Sequence, residues 1–139
     1  MLNPTTPQQV RTYFYNAWQK YSSNQPLTDL EIITCECIKL HPEYHQLLSS
    51  QKCINQTFEI QNNPFLHLSM HLTIVEQINT NQPIGITNIY KTLANKYTNH
   101  DAIHIIINCF QQVLTKIKDE DIKQIEASYL SLLNEVTQS

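Results

Sequence analysis

Apolar residues recur along this chain at helical rather than strand spacing. Val10, Tyr13, Phe14, Ala17, Trp18 and Tyr21 fall at i, i+3, i+4, i+7, i+8 and i+11, a continuous stripe that predicts an amphipathic helix from Pro7 to Tyr21. Thr6 and Gln9 have the spacing of a capping box, and Pro7 suits the first helical position, where an N–H has no intrahelical acceptor. After a polar loop from Ser22 to Pro26, Thr28 and Glu31 repeat the capping pattern and open a second helix that is expected to reach His41. Pro42 lacks an N–H and clashes with the preceding turn, so it kinks that helix or opens a short new one through Leu48. Residues 49–62 carry no clear period and read as a long irregular loop.

Asn63 and Pro64 mark the next start, and no breaker interrupts the run to Asn79. Asn81, Gln82, Pro83 and Gly85 make a turn. Helices over Ile86 to Tyr97 and Asp101 to Lys118 follow, then a last one with Ile122, Ile125, Tyr129, Leu132, Leu133 and Val136 on one face. About six helices, no alternating pattern and a single glycine define an all-α fold, a single-domain helical bundle over residues 1–139.

Composition narrows the function classes. Apolar residues make up 41% and charged residues 15%, enough for a core and too few charges for a coiled coil. The net charge is −3 and the nine basic residues are scattered, so no patch neutralises several phosphates and nucleic acid is not an expected partner. The opening MLNPTTPQQV has neither the positive start nor the apolar core of a signal peptide, and no long apolar run suggests a membrane; the reading is a soluble, cytoplasmic chain. Of four cysteines, Cys35 and Cys109 lie inside helical apolar patterns, which favours reduced thiols over disulfides. Cys35 and Cys37 are about 200° apart on a helix and do not form a metal knuckle. Cys53, in the irregular segment, reads as an exposed but unactivated thiol. One glycine excludes a phosphate-cradling loop, hence a nucleotide cofactor, and no nucleophile motif identifies a catalytic residue.

The distinctive chemistry is histidine. Four of the six histidines form two His-x-x-x-His pairs, His41 with His45 and His67 with His71. On a helix such residues are neighbours on one face, and one ion can take a nitrogen from each. Advancing 100° per residue from His67 places both members of the second pair in the middle of an apolar arc, with Ser69, Thr73 and Glu76 on the polar sector, so both are expected to be buried. His41 falls on the side of Leu30, Cys37 and Ile38, and His45 depends on how Pro42 bends the chain. A buried imidazole needs a partner for its nitrogens, at a cost of roughly 1–3 kcal/mol without one. The four histidines are therefore candidate ligands for iron, zinc or manganese. HPEYH is not the His-Glu-x-x-His of zinc proteases, and the Glu-x-x-His of di-iron bundles is absent. Glu31 is assigned to its cap rather than to metal, Glu43 to a first turn, and Glu76 to solvent. His104 lies on the polar face with Asn108, and His100 reads as exposed and structural.

The run NPFLHLSMHL from Asn63 to Leu72, with HPEYH from His41 to His45, QPIGI from Gln82 to Ile86 and the opening LNP, resembles a bacterial family of small helical proteins, domain of unknown function 1841. The resemblance implies an intracellular helical protein and lends weight to His41, His45, His67 and His71, which lie within the matching runs. The family pattern has Glu four residues after the histidine that matches His104, where this chain has Asn108, a weaker ligand. The rival to a metal protein is a metal-free interaction module, its histidines a core network and its partner a second copy or another protein. The aromatic first helix, with Tyr15 off the buried stripe, is then the expected surface.

Overall fold

Helix caps and apolar stripes set the architecture. In the computed structural model, which describes residues 6–116 and 121–138, six α-helices follow one another: α1 (Pro7–Ser22), α2 (Asp29–Lys39), α3 (Pro64–Thr80), α4 (Ile86–Lys96), α5 (Asn99–Lys116) and α6 (Ile122–Gln138). The described residues contain no strand. The fold is all-α, as the spacing of apolar residues predicts. Contacts group the chain into two compact units, Met1–Leu72 and Thr73–Ser139, with the division inside α3.

In the first unit both capping boxes form, Thr6 with Gln9 and Thr28 with Glu31. The α1 stripe places Phe14, Ala17 and Trp18 in a core with Cys35, Ile38, Leu48, Ile54, Phe65 and Leu68. Tyr15, off the buried stripe, is partly buried and packs against this core. The stretch expected to be irregular consists largely of 3₁₀ turns, Leu47–Ser49, Gln51–Asn55 and Ile60–Asn62. Long side chains of α1 hold two of them: Gln19 donates to the Leu48 carbonyl at 2.9 Å, and Arg11 donates to the carbonyls of Ile54 and Gln56 at 3.1 and 2.7 Å. The Arg11 guanidinium also lies over the rings of Phe58 and Phe65. No period marks such turns because backbone carbonyls, not side-chain stripes, anchor them.

Cys53 sits in this segment but is buried rather than exposed, because Gln51–Asn55 folds it under α1. All four thiols are free and buried. Burial pushes the Cys35 thiol up to about 11 and that of Cys37 to about 12. At pH 8, then, only about one Cys35 in a thousand is a thiolate. Native protein is expected to react with a thiol reagent orders of magnitude more slowly than denatured protein, which should release four equivalents. Prompt reaction of one thiol in the native state would contradict this burial.

Glu31 performs the role its spacing implies. Its Oε1 accepts the Thr28 N–H at 2.9 Å and its Oε2 meets Lys20 Nζ at 2.9 Å. The Thr28 bond, then the Lys20 bond, hold its carboxyl below the usual range against the opposing effect of burial. A depressed folded value means the stabilisation is present above the unfolded carboxylate value and is lost as pH falls through the folded one. Glu31→Ala should cost about 1 kcal/mol at pH 7. The gap from the native protein, measured by urea unfolding, should narrow on acidification, and a gap that is constant with pH would remove charge from the explanation.

In the second unit α4, α5 and α6 pack pairwise. Phe110 and Tyr129 place their ring centroids 5.2 Å apart, and Tyr129 donates to Gln77 Oε1 at 2.7 Å. The turn before α4 needs two left-handed residues, Asn81 (φ 53°) and Gly85 (φ 104°). Asn81 Oδ1 accepts the N–H groups of Gly85 and Thr87 and so ties the turn to the helix start. Tyr129 and Leu133 of the α6 stripe are buried, but Ile122 is 74% exposed, because it begins the helix and overhangs the packed face. α5 begins at Asn99, two residues before the expected Asp101. Its expected end at Lys118 lies outside the described residues.

Candidate metal centre

Pro42 decides where the first histidine goes. A proline disfavours helical backbone in the residue before it, and His41 is accordingly non-helical (φ −125°, ψ 70°) while α2 stops at Lys39, short of the expected His41. Ending a helix leaves carbonyls without intrahelical partners. His41 Nδ1 donates to the Cys37 carbonyl at 2.8 Å, and His45 Nε2 donates to the Ile38 carbonyl at 2.9 Å. Both histidines of HPEYH thus cap the end of α2. They do not share a helical face, since Pro42–Tyr44 is a 3₁₀ turn and the i, i+4 geometry does not apply to them.

α3 supplies the other pair, and here the helical geometry holds. Asn63 Oδ1 accepts the N–H groups of Phe65 and Leu66, starting the helix three residues before His67. Phe65 is 3% exposed and lies against Phe14 and Phe58, which fixes that start on the core. His67 and His71 then face the same way, with ring centroids 4.8 Å apart. His71 is 1% exposed, as its place in the apolar arc predicts, whereas His67 is only partly buried.

The two sources converge. The His41 ring centroid is 4.9 Å from that of His67 and 4.6 Å from that of His71. His41 Nε2 is 3.1 Å from His67 Nε2. Tyr44 lies parallel to His41, 6° from coplanar at 5.4 Å, and covers one face of that ring. His45 is engaged elsewhere: its second contact is the Trp18 ring, centroid to centroid 4.7 Å. Of the four expected ligands the first unit brings three together.

The His41 tautomer follows from its partner. A carbonyl only accepts, so Nδ1 carries the hydrogen and a neutral His41 presents a bare Nε2 lone pair toward His67. That lone pair can accept an N–H from His67 or bind an ion. At metal–nitrogen distances of about 2.0–2.1 Å, two imidazoles on adjacent positions of one ion have nitrogens about 2.9–3.4 Å apart and ring centroids about 4.5–5.2 Å apart. All three centroid separations and the Nε2 pair fall in these intervals. A ring nitrogen held by a backbone carbonyl while the other faces the ion is the usual outer-sphere arrangement of a metal-bound histidine.

The donors are nitrogens. Glu31 is committed to Thr28 and Lys20, and Glu43 and Glu76 are exposed. In the second unit His100 and His104, read as exposed and as a surface imidazole, are both partly buried, with ring centroids 4.2 Å apart. The i, i+4 spacing was the signal, and the polar neighbours of His104 masked it.

A family model described as domain of unknown function (DUF1841) matches residues 6–135. Neither the comparison with curated proteins nor that with solved structures gives a match.

Proposed function

The chain belongs to the DUF1841 family, and on that footing we propose that it binds a transition-metal ion through His41, His67 and His71, with His45 positioning the turn that carries His41. The observation that carries this reading is the 3.1 Å approach of two Nε2 atoms, one of them presented by a carbonyl-fixed tautomer. An all-imidazole set favours zinc over iron and manganese, since iron(II) and manganese(II) sites usually add carboxylates. Three protein ligands leave a fourth position open on a tetrahedral ion, the arrangement in which a bound water becomes acidic. A reduced, cytoplasmic setting goes with this reading, because free thiols such as the four buried here persist there.

One observation favours the metal-free alternative: among the described residues no buried side-chain nitrogen or oxygen lacks a hydrogen-bond partner. A histidine network is then complete without an ion, and function would lie in a surface that binds another protein or a second copy of the chain. Metal analysis of untagged protein separates the two. The metal reading expects close to stoichiometric zinc, and cobalt(II) replacing it should give a visible absorption band of tetrahedral strength. Metal-free protein that takes up neither ion would leave the network reading in place.

A further inference from the structure

α5 opens with a second pair of imidazoles outside the triad. Thr98 Oγ1 accepts the Asp101 N–H at 3.0 Å and so fixes the first turn of the helix. His100 and His104 then sit one above the other on successive turns, which is the i, i+4 relation of a chelating pair. Their ring centroids are 4.2 Å apart with planes at 61°, and a ring nitrogen of each lies within 4.8 Å of the other. Opening the rings by a few tenths of an ångström reaches the separation of about 4.5 Å that two ligands of one ion require.

The pair stands on a helix anchored by buried side chains. Ala102, Ile106 and Ile107 are buried on the packed side of α5, so binding need only adjust side-chain torsions. Once one imidazole is bound, the second binds intramolecularly at high effective concentration.

We propose that His100 and His104 are transition-metal ligands, a chelating pair for a divalent ion of the zinc, nickel or copper type. The inference concerns residues outside the triad and does not require the triad to bind metal. Zinc binding is measured by competition with a chromophoric chelator, and cobalt(II) absorption recorded, for the native protein, for His100→Ala/His104→Ala and for His67→Gln/His71→Leu. The α5 variant is expected to lose either a zinc equivalent or at least tenfold in affinity and to change the cobalt band, with unaltered helical circular dichroism. Should it fail to fold, the single change His104→Gln is expected to give the same direction.

The arms separate the two readings. Loss in the α5 variant with none in the α3 variant supports the pair and overturns the triad; the opposite pattern overturns the pair. Zinc stoichiometry, affinity and cobalt spectrum identical to the native protein in the α5 variant also overturn it.

Discussion

If the triad holds zinc as proposed, a strong chelator is expected to lower the melting temperature of the native protein by roughly 10 °C. The size follows from linkage: an ion that binds only the folded state at a free concentration 100 times its dissociation constant stabilises by about 2.7 kcal/mol, and each kcal/mol moves a domain of this size by about 3–5 °C. His71→Leu should remove the triad's part of the response, since it removes a nitrogen while keeping the volume that its 1% exposure requires to be filled. His67→Gln, at the partly buried edge of the triad, should weaken zinc by more than roughly 100-fold, above the cost of losing a mere outer-sphere partner. Acid should release the ion as the imidazoles protonate, because protons compete for the same lone pairs. A native protein indifferent to chelator, with His71→Leu equally or more stable, would assign the triad to core packing.

The second large effect is expected at Phe14. Its side chain is fully buried, with Tyr13 edge-on at 5.7 Å and Phe65 tilted at 6.2 Å. Truncation to Ala removes an aromatic from the centre of a packed cluster and should cost about 3–5 kcal/mol, read as a fall in the urea midpoint at unchanged slope. Phe65 begins the turn that carries His67, so zinc affinity should fall as well, although Phe14 touches no ligand. A loss below about 1 kcal/mol would mean that the site collapses around the cavity and that the anchor of α3 lies elsewhere.

The candidate site shows how local and distant information divide. The relation of His67 to His71 is a property of sequence, because helical spacing alone puts residues four apart on one face and the apolar arc around them predicts burial. The same spacing misleads at His41 and His45. Pro42 denies them a common helix, and they serve instead as caps on two carbonyls of α2. Polar neighbours at helical spacing suggested that His104 faces solvent, but the ring is partly buried. A helix face is polar by composition and buried by packing, and periodicity reports only the first.

What the sequence determined by itself rests on neighbours within about a turn: helix starts at Thr6 and Thr28, the break at Pro42, the turn at Asn81 to Gly85 and the all-α class. Cap hydrogen bonds and apolar stripes are local interactions, and their spacing is written along the chain. Only the tertiary structure decided that residues 49–62 form 3₁₀ turns fastened to α1 by Arg11 and Gln19, that Cys53 is buried, and that His41 meets His67 across 26 positions of chain. Those contacts depend on which apolar faces pack together. Packing of that kind is non-directional, and no spacing in the chain encodes it.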